Sequence, residues 1–453
     1  MLAAMTDMRE QAEPSPRVMV LGMGDTGAAC ARYFAQQGLP VAFFDTRSTP
    51  PAMAEIQRVM PDAVCYRGSE TPELPRTVER LVVSPGIPLD LPLLRKARAR
   101  GLAIDSDIDL FMQEARAPVV GITGSNGKST VTAMLAAALR NAGWRVAAGG
   151  NLGPPALDLL AADPEVYALE LSSFQLERSR LLELAAAALL NLSPDHLDLH
   201  GDYSSYVQAK ARILSRAQQL VINRDDPALA ALLPAGVGVT GFTLGEPSTG
   251  DFGLRTHNGR EYLACGRALL LGTDELRVAG RHNQANALAA LALGAAIGAD
   301  LANMLGGLRE FRGLAHRMQL VASREGVSWI NDSKATNVGA AVASIAGVDT
   351  PLVLIAGGDA KAADLQPLAD CLEGRRVEVV LIGKDREQLA AVLAGVCPCH
   401  RADDMNAAVA KAASIADRGW TVLLAPAAAS LDMFSNYAAR GDAFVQAVRE
   451  LAS

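Results

Sequence analysis

Short runs of Val, Ile, Leu and Ala alternate along most of the chain with longer Ala-rich stretches of helical character. Four or five apolar residues without polar alternation suit a strand buried on both faces, and an intervening helix carries the chain across to the next parallel strand. The pattern predicts an α/β protein built of βαβ units. A first block is expected to hold strands at Arg17–Leu21, Val41–Asp45 and Leu81–Ser84, fading near Asp105–Asp107. A second opens with a strand at Val119–Thr123 and a long helix from Lys128 to Asn141, followed by strands at Tyr167–Leu171 and Ala188–Leu192. Between Leu233 and Val278 helical spacing gives way to Gly-rich, hairpin-like sequence, which predicts antiparallel strands at an edge. Helices follow at Asn283–Ile297 and Leu301–Gly307. A third block begins near Leu314, with strands at Ser328–Asn331, Leu352–Ala356, Val377–Ile382 and Thr421–Leu424 and a closing amphipathic helix after Asn436. No fixed short repeat is present, which excludes a solenoid.

The length of 453 residues, at about 150 per domain, agrees with three blocks, and the expected division is 1–106, 107–313 and 314–453. With 20% charged and 50% hydrophobic residues the chain is an ordinary globular protein, not a disordered or collagenous one. A net charge of −7 argues against a broad nucleic-acid surface while leaving local basic pockets for small anions. Asp7, Arg9, Glu10 and Glu13 deny the first residues the apolar core of a signal peptide. The most apolar stretches, Leu181–Leu192 and Ala287–Ala299, are too short or too broken to span a bilayer. A soluble, cytoplasmic monomer with no membrane or nucleic-acid partner is expected. Six cysteines do not amount to a disulfide framework, and Cys397-Pro398-Cys399-His400 lacks a second ligand pair nearby, so it reads as a loop with free thiols.

Two glycine-containing turns carry the chemistry. Gly22-Met23-Gly24-Asp25-Thr26-Gly27 follows a strand and opens a helix, and Asp45 ends the next strand with Thr46 and Arg47 beside it. Glycines there let the backbone approach a diphosphate, which the helix N-terminus favours. NAD, FAD and a UDP-sugar all satisfy that description. The stronger signal is Thr123-Gly124-Ser125-Asn126-Gly127-Lys128-Ser129-Thr130, after a strand and before a long helix. Backbone N–H groups can cradle phosphate oxygens, Lys128 can reach the β- and γ-phosphates, and the hydroxyl of Ser129 or Thr130 can ligate Mg²⁺. Five residues separate Gly121 from Gly127 where the common form has four, which sets the chain apart from ordinary GTPases and kinases.

From this loop onward the chain resembles the Mur ligases, whose phosphate loop reads T-G-[ST]-N-G-K-[ST] and is shared with folylpolyglutamate synthases. Further matching strings follow in order: Gly149–Gly153 with Asn151, Glu170–Leu176, Asn191–Asp198, Lys210 in Ala-Lys-Ala-Arg, Gly280–Asn286, Leu314–Met318, Asn331–Asn337, Gly357–Lys361 and Ser430–Phe434. They cover nearly the whole chain and are most similar to the branch that adds D-glutamate to a UDP-muramoyl-alanine acceptor. The resemblance implies a Rossmann-like UDP-binding domain, a central parallel-sheet ATPase domain and a C-terminal Rossmann-like domain closing on ATP. It also implies an amide-forming reaction through an acyl phosphate, with small-molecule substrates, ATP and two Mg²⁺ ions.

Residue by residue, the resemblance makes Gly24, Asp25, Thr26, Gly27, Asp45, Thr46, Arg47, Ser84, Pro85, Gly86, Asn151, Ser172 and Gln175 contacts of the UDP-linked acceptor. Gly124, Ser125, Asn126, Gly127, Lys128, Ser129, Thr130, Asn283, Asn286, Arg317 and Asp332 become contacts of ATP. Ser129, Glu170, His196 and Lys210 become metal ligands, Lys210 as a carbamate formed with CO₂, which requires a neutral amine first. Lys128, Glu170, His196 and Lys210 form the catalytic group. Lys334, Thr336, Lys361, Ser430, Leu431 and Tyr437 become the D-glutamate pocket. Tyr437 stands where that branch has Phe, and Ala425-Pro426-Ala427-Ala428-Ala429 replaces a run richer in Ser and Cys. A folylpolyglutamate synthase would leave the Gly22–Gly27 module without a purpose. A nicotinamide-dependent oxidoreductase would leave Lys128 and Asn331–Asn337 unexplained, and a regulatory nucleotide-binding module would have no use for Glu170, His196 and Lys210.

Overall fold

The computed structural model describes residues 15–151, 153–195, 200–278, 280–360 and 363–451. The chain forms two compact units, the first running to Phe311 and the second starting at Arg312. The first unit holds two sheets. One is wholly parallel, in the order β3 (Val64–Arg67), β2 (Val41–Asp45), β1 (Val18–Leu21), β4 (Arg80–Val83), β5 (Ala103–Asp105). Strands β1 and β2 are buried along their whole length, as a two-sided parallel sheet requires. Strand order reverses at β1, so the loops after β1 and β4 open side by side, the usual ligand crevice of such a sheet.

The second sheet contains β6 (Val119–Thr123), β7 (Val146–Gly150), β8 (Val166–Glu170), β9 (Leu184–Leu189), β10 (Ala217–Asn223), β11 (Gly238–Phe242), β12 (Phe252–His257), β13 (Arg260–Cys265) and β14 (Ala268–Gly272). Its order is β14-β13-β12-β11-β10-β9-β6-β8-β7. Strand β6 lies between β8 and β9, parallel to both, which places the loops after all three at one edge. The helices Arg281–Ala296 and Leu301–Glu310 pack against the helix Lys128–Asn141 that follows β6. The hairpin-like region forms the antiparallel ribbon β12-β13-β14, whereas β11 pairs in parallel with β10.

The second unit carries one sheet, ordered β15 (Gln319–Arg324), β16 (Val327–Asn331), β20 (Thr421–Leu424), β17 (Leu352–Gly357), β18 (Val377–Ile382), β19 (Cys399–Arg401). All pairs are parallel except β15 with β16. Its two faces are covered separately, one by the core around Val338, Leu354 and Leu389, the other by Trp329, Val409 and Phe444.

The strands at Val41–Asp45, Val119–Thr123, Val377–Ile382 and Thr421–Leu424 and the helix Lys128–Asn141 have the expected bounds. The strand expected at Ala188–Leu192 lies instead at Leu184–Leu189: Leu190 N donates to Thr123 O at the very end of β6, and Asn191 O beyond it accepts from Ser125 N of the phosphate loop. Cys399, expected in a loop, begins the edge strand β19, and all six cysteines are free thiols. Among the described residues no helix is long and apolar enough to cross a membrane.

Candidate active site

At the crevice of the first sheet, Gly22 has φ +104° and a Cβ there would stand 2.6 Å from Ser84 Oγ, so the β1 and β4 loops touch through a bare glycine. A Cβ on Gly27 would meet the Gly22 carbonyl oxygen at 2.2 Å, which brings the helix Asp25–Gln36 hard against the turn. Gly24 caps that helix without a side-chain bond, leaving its first N–H groups to a ligand. Asp45 is buried and both its oxygens are engaged. Met23 N and Arg47 Nη2 donate to Oδ2 at 2.7 Å each, and Arg47 N and Nε donate to Oδ1 at 2.9 and 2.8 Å. Burial raises its pKa, but the bonds from Arg47 and the backbone outweigh this and the net shift is downward. Asp45 thus anchors the loop and aims Arg47, whose guanidinium stays half-exposed beside Gly24. A nicotinamide dinucleotide site needs this carboxylate for ribose hydroxyls; here its oxygens are spent on the protein.

The second crevice gathers the phosphate loop, Glu170 and Lys210. Gly124 (φ +155°) and Gly127 (φ +84°) turn the chain from β6 into the helix. A Cβ on Gly127 would lie 2.7 Å from Asn286 Oδ1, so Asn286 from the packed helix stands against the loop, and its Nδ2 donates to Asn283 Oδ1 at 3.3 Å. Gly127→Ala is therefore expected to cost about 1–3 kcal/mol in stability through a positive φ and a crowded amide. A thermal-unfolding midpoint equal to wild type would contradict this. The loop is also braced from β9: Ser125 N donates to Asn191 O at 3.0 Å, Asn126 N to Asn191 Oδ1 at 2.8 Å, and Ser193 N to Ser125 Oγ at 2.9 Å. Lys128 Nζ curls back on its own loop, donating to Gly124 O and Ser125 O at 2.8 and 2.9 Å. Ser129 and Thr130 lie buried in the first helical turn.

Glu170 ends β8, paired with Ile122 of β6. It is 2% exposed; Asn151 Nδ2 donates to its Oε1 at 2.8 Å, and the buried Oε2 has no hydrogen-bond partner. A desolvated carboxylate oxygen left unmatched is costly unless a cation meets it, and the Asn151 amide orients the group as a partner behind a metal ligand does. These residues fit a divalent cation, although no cluster of three His, Cys, Asp or Glu side chains forms among the described residues. Lys210, near the end of the helix Tyr203–Ala211, would ordinarily face water; it is 2% exposed. Its Nζ donates to Gly124 O at 2.9 Å and lies 4.8 Å from the Tyr206 ring centre. Burial, reinforced by the Lys128 ammonium, brings its pKa down to about 7 against the pull of Asp195 and Glu170.

Ser172 and Gln175, expected at the acceptor, form a capping box on the short helix Ser173–Arg178: Gln175 N donates to Ser172 Oγ at 3.2 Å and Ser172 N to Gln175 Oε1 at 3.0 Å. They shape the turn after Glu170.

In the second unit the loops after β16, β17 and β20 meet at the carboxyl edge of the sheet. Asp332 is buried, its carboxylate accepting from Met318 N at 3.1 Å and from the Ser344 hydroxyl. Lys334 Nζ stands 4.1 Å from the ring centre of Tyr437, so this tyrosine offers the lysine an aromatic face. Lys334 N donates to His316 O at 3.1 Å, which ties it to the turn carrying Arg317. Ser430 is buried, whereas Leu431 is 68% exposed. His196 and Lys361 lie outside the described residues.

Two residues escaped the sequence reading. Tyr206 is buried one helical turn before Lys210 and its hydroxyl bonds Ser125 Oγ at 2.8 Å; the i, i+4 spacing from Lys210 is the signal available for it. Arg440 is 1% exposed and ties all three loops of the second unit. Its Nε and Nη2 reach Ser333 Oγ and O at 3.0 and 2.9 Å, and Nη1 reaches Ala428 O at 3.0 Å and Gly357 O at 3.5 Å. An arginine in the first turn of a surface helix carries no mark of burial in sequence.

A phosphate-binding loop on the second sheet, with a buried carboxylate and a buried lysine beside it, and a crevice at the carboxyl edge of each of the other two sheets define an α/β nucleotide-dependent enzyme, and family models give its family. Residues 16–106 match the Mur ligase MurD-like N-terminal domain, 122–294 the Mur ligase middle domain and 316–428 the Mur ligase glutamate ligase domain. The chain belongs to the Mur ligase family. It is 49% identical over 438 residues to the UDP-N-acetylmuramoylalanine--D-glutamate ligase of Nitrosococcus oceani, covering 96% of this chain and 97% of that one. The enzyme of the same name from Pseudomonas aeruginosa is 47% identical over 438 residues, with 96% and 98% covered. Among solved structures, the UDP-N-acetylmuramate-alanine ligase of Thermotoga maritima aligns over 96% of this chain and 99% of its own with a TM-score of 0.63 at 18% identity, a likeness of fold. The MurF ligase of the same organism, solved in complex with ADP, aligns over 91% and 96% with a TM-score of 0.60 at 16% identity.

Proposed function

We propose that this chain is an ATP-dependent ligase that joins the amine of D-glutamate to the carboxylate of UDP-N-acetylmuramoyl-L-alanine, releasing ADP and phosphate, in peptidoglycan precursor synthesis. The observation that carries the reading is the convergence of Lys128, Lys210 and Glu170 around one phosphate loop. A nucleotide site for binding alone has no use for a buried lysine near neutrality beside a buried, half-satisfied carboxylate. Residues 1–106 take the UDP end of the acceptor, 107–313 the ATP phosphates and the reacting carboxylate, and 314–453 the D-glutamate.

An acceptor carboxylate oxygen attacks the γ-phosphorus of ATP and ADP leaves; the amine of D-glutamate then attacks the acyl carbon, loses its proton, and phosphate departs. Both steps bring anions together, so the protein's part is charge compensation and alignment. Backbone N–H groups of Gly124–Thr130 hold the phosphates, and Lys128 exchanges its carbonyl partners for phosphate oxygens. Glu170, Ser129, His196 and Lys210 would hold Mg²⁺, two ions in all, which supply Lewis-acid neutralisation of the phosphate charge. Asn283 and Asn286 contact the adenine side, Arg317 and Asp332 the phosphates and ribose. Lys334, Thr336, Lys361, Ser430, Leu431 and Tyr437 receive D-glutamate, with cations and hydroxyls for its two carboxylates.

The test is amide formation with ATP, the UDP-linked acceptor and each of D-glutamate, L-glutamate, L-alanine, L-lysine and meso-diaminopimelate. D-Glutamate should be strongly preferred, because paired cations and N–H donors are left desolvated by an uncharged side chain. Without an amino acid, borohydride should trap the acyl phosphate as an alcohol. Efficient use of another amino acid, or pyrophosphate in place of phosphate as product, would overturn the reading.

A further inference from the structure

We infer that Arg178 is a positioning residue that holds the turn carrying the UDP end of the acceptor at a fixed distance from the turn that follows Glu170. The inference rests on the ligase reading. Arg178 closes the short helix after Glu170, and its side chain, 8% exposed, crosses to the first sheet. There Nη2 donates to Ile87 O at 2.7 Å, while Nη1 donates to Phe174 O at 2.9 Å. Ile87 closes the turn Ser84–Ile87 through its own N–H to Ser84 O at 3.1 Å, and Ser84 lies against Gly22 of the diphosphate loop. A single guanidinium thus connects the diphosphate crevice with the helix whose other end is the Ser172–Gln175 capping box. The reach has a local cost, since Arg178 Nε is buried without a hydrogen-bond partner.

The surrounding joint is stiff. Asp109, fully buried, accepts from Arg180 N and Leu181 N at 2.7 and 2.8 Å through Oδ1, and from Ser106 N at 2.9 Å through Oδ2. Asp105 pairs with Arg180 at 2.5 Å and with Arg80 at 3.2 Å, and Ser106 Oγ meets Ser179 Oγ at 3.3 Å. The segment between the two sheets is thereby stitched to residues 178–181 rather than left as a hinge. An acceptor that spans both crevices gains from this, because the second contact becomes intramolecular only if the spacing between the sites is held.

Arg178→Met keeps the packing of the stem and removes the donors; Arg178→Lys keeps a charge and a shorter reach. With the Met variant, kcat/KM for the full UDP-linked acceptor should fall about tenfold or more, while the dissociation constants of UDP alone and of ATP, measured by calorimetry, stay at wild-type values. The Lys variant should recover part of the loss, and decides the matter if the Met variant does not fold. An unchanged kcat/KM for the acceptor, or a loss of UDP affinity by the same factor, would overturn the inference. A wild-type enzyme that forms no D-glutamyl amide overturns instead the reading on which it stands.

Discussion

Lys128→Ala is expected to lower ATP-dependent phosphate release by roughly two to three orders of magnitude, the usual loss for removing one preorganised group from a developing charge. The fold should survive. Lys128 Nζ donates to two carbonyls of its own loop, and Gly124 O keeps the Lys210 donor when Lys128 is gone. An ammonium at the start of a helix opposes the helix dipole, so its removal relieves rather than strains the apo protein. The loss should therefore fall on turnover, with circular dichroism and the unfolding midpoint close to wild type. A folded variant that retained near-normal phosphate release would remove the ATP site from this loop.

How much of this was legible in sequence depends on what held each feature in place. Buried parallel strands are continuous apolar runs, so β2, β6, β18 and β20 could be read to the residue. Strand β9 could not, because its Ala185–Ala188 run has no branched side chains to distinguish strand from helix, and past its end Asn191 is drawn to Ser125 of a loop more than sixty positions earlier. The phosphate loop was legible because its function is written in local backbone geometry. Lys210 was not, by composition: its burial arises where Tyr206, Gly124 and Lys128 converge. Arg440 and Arg178 belong to the same class, each a long side chain that reaches backbone carbonyls far away in sequence, Gly357 O and Ser333 O for one and Ile87 O for the other, and carbonyls leave no trace in residue identity. At Asp45 the sequence marks the position at the end of β2, and what the structure adds is that both its oxygens accept from Met23 and Arg47, an arrangement that residue identity alone does not reveal.

Lys210→Ala should abolish nearly all turnover, by a factor on the order of 10³ if the lysine supplies a charged group at the reacting phosphate, and short carboxylates such as acetate should restore a measurable fraction. Carbamate formation joins a neutral amine to CO₂ and releases one proton, so it is closed to an ammonium. A lysine at the ordinary value near 10.5 would be almost wholly charged at neutrality, whereas burial and the Lys128 charge bring Lys210 down to about 7. Half the side chains are then neutral near that pH, and the modified fraction should rise as pH increases through 7 and fall below it. Carbon-13 NMR of the wild-type protein under labelled CO₂, recorded from about pH 6 to 8.5, should show a carbamate resonance growing along that course and missing from Lys210→Ala. The same resonance in both proteins, or a Lys210→Ala variant with full activity and no response to acetate, would take Lys210 out of the chemistry and leave it as a buried donor to Gly124.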